Sequence, residues 1–390
     1  GVAAGAVAVV LYNNVSGPPT APGGLTTTTV PAVMITLESG QALRDYVAAN
    51  DPTEVSIGTD VVLVEDDTWT DLVAGFSSRG PSRLDMLAPT LAAPGVNILA
   101  AYAESGGDPL QYGVISGTSM ASPHAAGMAA LMREVYPELT PTEIRSVMAS
   151  TADYEGLLKE DGATPADAFD IGSGRINIDQ AGRAGLSLDE TPANFAAADP
   201  AIGGEPSTLN LPALVDTDCA GVCTWTRTVT SIAQGPASYT AVVEAPAGVT
   251  VTVSPETFSL EQGAEQEIEV TANVSGGTIG AWSHGRITFE TSDQHADGVD
   301  IADQHFPVAV KTTSTEVPVE SPVIDVDPAE LASTQPTDTV TTQTLAIGNT
   351  GGEDLTWEFV TEAGGESVVV AEQVVNGISG IVSDNFPNNG

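Results

Sequence analysis

Ser116-Gly117-Thr118-Ser119-Met120-Ala121-Ser122-Pro123-His124 opens a run so rich in Ala, Gly and Met that it reads as one helix, from Ser119 to about Val135. A helix that is small and apolar on nearly every face is expected to lie buried between other elements. The free N–H groups and positive dipole end at its start would point to where negative charge develops when a hydroxyl attacks a carbonyl. Ser119 is therefore a candidate nucleophile. Gly117 leaves room for a substrate backbone, and Pro123 is tolerated because it falls in or near the first turn. Serines and threonines also cap helices for structural reasons alone, so helix geometry by itself leaves capping as the commoner explanation.

Outward from that helix, Thr140-Pro141-Thr142-Glu143 combines an N-cap threonine, a proline at the first helical position and a glutamate three residues after the cap. The stripe Ile144, Val147, Met148 and Thr151 keeps helical spacing and should pack on the same core. Upstream, AVAVVLY (6–12), AVMITL (32–37) and VVLVE (61–65) read as short strands around one helix candidate, GQALRDYV (40–47). With no basic flank, the apolar start reads as a buried strand rather than a signal peptide.

From about residue 190 alternating runs take over: YTAVVEA (239–245), VTVTVSPE (249–256), EIEVTANV (267–274), RITFET (286–291) and HFPVAVK (305–311). Their spacing predicts an antiparallel sandwich. The stretch 316–328 is proline-rich and acidic, a linker or sheet edge, and TQTLAIGNTGGEDLTWEF (342–359) reads as a hairpin opening a second β unit.

The 390 residues carry 52 acidic and 11 basic side chains, a formal charge of -41, yet 42% are apolar. Patterned apolar content of that size predicts folded domains rather than disorder. The charge excludes nucleic acid and anionic membrane surfaces as partners, and suits solubility at raised ionic strength. No run of eighteen apolar residues predicts a membrane span. Cys219 and Cys223 are spaced for a short disulfide loop, with a reduced buried pair as the alternative; no neighbouring histidines or second pair support a metal site.

SGTSMASPHAAGMAAL (116–131) resembles the nucleophile segment of the subtilisin-like serine proteases, the subtilases. The resemblance continues in the right order through FSSRGP (76–81), LAAPGVNILAAY (91–102) and GSGRINIDQA (172–181). It implies an α/β fold, an incomplete subtilisin-like parallel sheet with helices on both faces, and a serine endopeptidase acting on proteins or peptides. Carried onto this sequence, it makes Ser119 the nucleophile and its N–H one oxyanion donor. Thr118 becomes the adjacent supporting hydroxyl, and Gly117 and Met120 complete the nucleophile loop. Met120 would be an oxidation-sensitive neighbour. Ser116 is expected to touch substrate.

The family's D-[ST]-G and H-G-T-H motifs, which carry the other two triad members, do not occur in the sequence, and its oxyanion asparagine matches no residue here. Those partners are expected before Gly1, so that this chain alone should be inert. His124, five residues after Ser119 on the same helix, is placed too far round to act as its base. Glu65-Asp66-Asp67 reads as a solvated turn.

GAVAVVLYNN (5–14) and VPAVMITLESGQAL (30–43) resemble the second half of a protease-associated (PA) domain. The region around CTWTRTVT (223–230) resembles the fibronectin-type-III-like domain found after subtilase catalytic domains. The expected organisation is a partial PA domain at 1–70, a partial catalytic domain at 71–188, a fibronectin-III-like sandwich at 189–315, and a linker with the start of another sandwich at 316–390. Asp293-Gln294-His295 and Asp303-Gln304-His305 recur ten residues apart and read as a polar surface hairpin rather than a divalent-metal site. No metal ligands and no cofactor are assigned, although the resemblance allows structural calcium. A secreted, monomeric protein of bacterial origin is expected. The rival expectation is a non-catalytic surface- or polymer-binding protein on a degenerate protease scaffold.

Overall fold

The computed structural model describes residues 5–19, 30–50, 52–58, 67–102 and 111–317, together with five short strands further on. The chain divides into two compact units, residues 1–316 and 317–390.

The first unit begins with a parallel strand pair, β1 (Val9–Tyr12) and β2 (Ala32–Ile35), followed by α1 (Leu37–Ala49). Thr36 caps α1 by accepting the Ser39 N–H. The expectation of a fully buried first strand does not hold, because Leu11 and Tyr12 are exposed. A two-stranded sheet flanked by one helix covers β1 on one side only. The VVLVE segment lies outside the described residues.

An antiparallel hairpin, β3 (Ile98–Tyr102) with β4 (Gln111–Ile115), feeds directly into α2 (Thr118–Val135). Then come α3 (Pro141–Ser150), α4 (Ala168–Ile171) and α5 (Ile178–Gly182). The capping box read from the sequence is formed: Glu143 N–H donates to the Thr140 hydroxyl at 3.1 Å, and Thr140 N–H donates to the Glu143 carboxylate at 2.8 Å. Ile144, Val147 and Met148 pack with Met128, Met132, Ala181 and Ala184 in one apolar cluster.

The all-round burial expected of α2 is not found. Only Met128 and Met132 are buried, while Leu131 and Val135 are 54% and 51% exposed. Among the described residues α2 meets neighbours through its α3- and α5-facing side, so the opposite apolar face has no covering layer. Pro123 is the sixth helical residue, one position further in than a helix starting at Ser119 would place it. Its missing N–H and its ring remove the Ser119 carbonyl, four residues back, from the helix ladder.

After β5 (Leu186–Ser187) and α6 (Pro192–Ala197) the chain builds a two-layer sandwich. Its strands are β6 (Leu214–Ala220), β7 (Val222–Ser231), β8 (Ala237–Glu244), β9 (Thr250–Ser254), β10 (Thr257–Leu260), β11 (Glu265–Asn273), β12 (Trp282–Glu290) and β13 (Gln304–Ser314). One sheet runs β10-β8-β12-β13-β6 and the other β5-β7-β11-β9. The alternation of β7 decides its register: Cys223, Trp225, Arg227 and Val229 point in, and their neighbours are more exposed. Every pairing is antiparallel except β13 with β6, which is parallel. The first long strand, entering from the helical region, lies beside the last.

Cys219 and Cys223 are disulfide-bonded across the β6–β7 turn, with Cα atoms 5.5 Å apart. Arg227, 2% exposed, is held by carbonyl oxygens: Nε donates to Leu211 at 2.7 Å and Nη2 to Ala213 at 3.1 Å. Burial pulls its pKa down to about 10, which leaves it cationic at neutral pH.

The two Asp-Gln-His triplets are not a surface hairpin. His295, Gln304 and His305 are 8%, 1% and 3% exposed, and each contacts the helical region or the loop leading from it. Gln304 accepts the Gly185 and Leu186 N–H groups at 2.9 and 2.6 Å and donates to the Ser150 hydroxyl at 2.8 Å. Polar residues that look solvated in sequence are here the matching half of a seam between two regions of the chain.

In the second unit, β14 (Ile324–Asp327), β15 (Thr344–Asn349) and β18 (Gly380–Ser383) form one antiparallel sheet, and β16 (Leu355–Glu358) pairs with β17 (Ala371–Val374). The expected hairpin across 342–359 is therefore not made. Both edges of β15 are taken, by β14 and β18.

Candidate active site

β4 delivers the chain to α2 through Ser116 and Gly117. Ser116 is fixed from the side: its hydroxyl accepts the Asn97 N–H at 2.7 Å and donates to the Asn97 side-chain oxygen at 3.3 Å. Asn97 adopts the left-handed conformation, φ 53°, which a short polar side chain tolerates. Gly117 N–H donates to the Gly95 carbonyl at 2.8 Å. At Gly95 a Cβ would stand 2.9 Å from the Gly117 carbonyl oxygen, closer than real contacts allow, so only glycine lets the two loops meet. Gly95 and Asn97 were not singled out in the sequence. Their signal was the proline–glycine turn inside LAAPGVNI.

Gly117 is the N-cap of α2 and offers no side-chain cap. The Met120 and Ala121 N–H groups both turn back to the Gly117 carbonyl. That leaves the N–H groups of Thr118 and Ser119 with no acceptor among the described residues. Free donors at the positive end of a three-turn-plus helix form a ready site for an oxyanion. Thr118 and Ser119 are exposed and, with Ser122, Pro123 and Ala126, line one open depression on the α2 surface. The Met120 sulfur lies over the turn, 3.6 Å from where a Cβ on Gly117 would stand.

No carboxylate or imidazole among the described residues hydrogen-bonds the Ser119 hydroxyl. His124 is engaged elsewhere: its Nδ1 lies 2.8 Å from the Met120 carbonyl of its own helix. His284, His295 and His305 all sit at the seam with the sandwich. Asp67, exposed, starts a short 3-10 turn, whereas Glu65 and Asp66 lie outside the described residues. The one group of three His, Cys or acidic residues near enough to share a metal, among the described residues, is Asp216 with Cys219 and Cys223. Both of those thiols are used by the disulfide.

The FSSRGP loop is anchored by charge. Arg79 and Lys159 converge on Asp170, at 3.0 and 2.9 Å, and that carboxylate is almost wholly buried at the N-terminal turn of α4. Lys159 also pairs with Asp167 at 2.8 Å, and its hydrogen bonds to Asp167 and Asp170 raise its pKa. Arg175, from the GSGRIN segment, bridges Asp71 and Asp153. Segments distant in sequence are thus pinned to one another around the layer that carries α2.

A serine at an uncapped helix start, locked by Gly95 and Asn97 and followed by the α3 capping box, is the arrangement on which the family models bear. The subtilase family model matches residues 2–174, and a fibronectin type-III domain model matches residues 208–302. Residues 2–174 belong to the subtilase family. Among the relatives of this chain, the subtilisin-like protease SBT1.6 of Arabidopsis thaliana is 31% identical over 315 residues, 68% of this chain and 41% of that protein. Subtilisin-like protease SBT3.2 of the same plant is 36% identical over 252 residues, 56% of this chain and 33% of that protein. The chain thus spans about two fifths or less of the length of these relatives. Both are plant proteins and give the expected bacterial origin no support. No helix among the described residues is long and apolar enough to cross a membrane.

Proposed function

We propose that this chain is the nucleophile-bearing part of a secreted serine endopeptidase, with Ser119 as the attacking residue. The observation that carries the proposal is the exposed Ser119 hydroxyl beside two open N–H groups, on a helix that nothing caps. A base supplied from outside residues 1–390 takes the hydroxyl proton as Oγ attacks the peptide carbonyl. The Ser119 N–H then donates to the developing oxyanion; the C–N bond breaks as the protonated base returns its proton to the leaving amine, and water attacks the resulting acyl-enzyme to release the second product and free Ser119. Thr118 and Ser116 steady the loop, and Met120 stands where its sulfoxide would crowd the site. The PA-like residues 1–70 would govern substrate access. The disulfide and the strongly acidic surface fit an oxidising, extracellular setting.

A fluorophosphonate probe tests this. A protein extended upstream to include D-[ST]-G and H-G-T-H segments should label at Ser119 and lose labelling in Ser119→Ala, while residues 1–390 alone label at least about a hundredfold more slowly, the scale expected when a general base is missing. Equal labelling of both forms would place the base within this chain and overturn the proposal.

A further inference from the structure

Three of the four histidines in the chain lie on the sandwich and face the subtilase region, and all three are held in its walls. We propose that they form an acid-sensitive clasp, in which neutral imidazoles hold the two regions together and protonation opens the seam between them.

His295 states the case geometrically. Its Nδ1 accepts the Gln234 N–H at 3.2 Å, so its Nε2 carries the proton and donates to the Arg183 carbonyl at 3.2 Å. A second proton on Nδ1 would meet an N–H donor head-on, and one of the two contacts must break. Glu138, Glu143 and Asp297 share the groove beside it, and Arg183 turns its guanidinium to Asp179. None of these removes the clash at Nδ1.

His305 is the deepest of the three. Its Nε2 donates to the Ser173 carbonyl at 2.8 Å, its ring meets Tyr154 edge-on at 4.6 Å, and Arg286 stacks on the far side of the cluster, 3.1 Å from the Tyr154 ring centre. Desolvation drives its pKa down to about 4; the Arg286 charge adds to this, while the Ser173 and Ser150 backbone and Asp153 oppose it. His284 packs edge-on against Phe169 at 4.6 Å with a buried Nδ1 that has no partner. Burial lowers its pKa as well, with Lys159 acting the same way and Asp167 and Asp170 acting against it.

The sign follows from linkage. An imidazole neutral in the closed seam and near its ordinary pKa of about 6.5 once the seam opens binds protons in the open form first. The contribution of His305 is therefore complete above that value and is lost as pH falls toward about 4. At pH 5 release of His305 favours the open form by roughly 30-fold, while most carboxylates stay ionised.

Amide hydrogen exchange, corrected for intrinsic rates, reads the clasp directly. The reporters are the Gln234 N–H bonded to His295 and the Ala302 N–H bonded to the Arg183 carbonyl; Val270, inside the β7–β11 ladder, is the control. Between pH 7.5 and pH 5 the reporters should lose at least about tenfold in protection while Val270 holds. The double variant His295→Asn with His305→Gln, whose amides keep the acceptor at the His295 Nδ1 position and the donor at the His305 Nε2 position without a titrating nitrogen, should keep most of the protection seen at pH 7.5 and flatten the pH response. Equal losses in wild type and variant would mean that His295 and His305 do not set the pH response and would overturn the clasp, as would a wild-type seam indifferent to pH. Should the variant not fold, the wild-type imidazole carbon protons decide by NMR. His305 must stay neutral until the reporters lose protection, and its titration near pH 6.5 in a protected seam overturns the proposal.

Discussion

The sandwich and helix α2 are built from similarly apolar sequence and end in opposite states. In the sandwich, Ile268, Val270, Ile287 and Phe289 are wholly buried, because each inward position of one sheet faces the other sheet. On α2, Leu131 and Val135 stand half in solvent, because this chain lays α3 and α5 against one side only. Apolar character thus states what a residue tolerates. Whether it is buried depends on a second layer, and that is a property of the fold.

The comparison can be broken by substitution, starting with its strongest arm. Phe289→Ala should cost about 3–5 kcal/mol, read as a lower urea midpoint, since the ring packs against both Phe258 and Phe306 and the cavity cannot collapse. A loss under about 1 kcal/mol would mean that the two sheets are loosely held.

Asp170→Asn comes next, at about 3 kcal/mol. It leaves Arg79 and Lys159 facing a neutral amide where a buried carboxylate had held both. Thermal unfolding of wild type and variant, with and without salt, measures it. Thr140→Ala should cost about 1 kcal/mol by removing half of the α3 capping box, and Thr140→Ser should restore most of it.

The smallest effect belongs to the exposed face of α2. Leu131→Ala should change stability by no more than about 0.5 kcal/mol in this chain, because little apolar area is covered there to be lost. The contrast with Phe289 is sharpened if the same substitution proves costly in a protein extended upstream, where a further layer would cover that face.

The elements with local signatures were legible without coordinates. The α3 start is one: Thr140, Pro141 and Glu143 satisfy the first turn among themselves, so their spacing suffices. The long sandwich strands are another, since two-residue alternation marks one face for the core. The candidate nucleophile was legible for a different reason, the density of its motif around Ser119. What failed were inferences about neighbours. The apolar run at 342–359 read as a hairpin, yet β15 pairs elsewhere on both edges. The Asp-Gln-His triplets read as solvated, yet Gln304 and His305 are among the most buried polar residues.

Sequence alone determined the α3 cap and the strand alternation and marked Ser119 as the candidate nucleophile, because each is written in residues within a turn or two of one another. Only the tertiary structure decided which face of α2 is covered, that Gly95 and Asn97 lock the Ser116–Gly117 turn, and that three histidines meet the subtilase region across a seam. These depend on contacts between residues far apart in the chain, whose hydrogen-bond partners and dielectric surroundings exist only once the layers have packed.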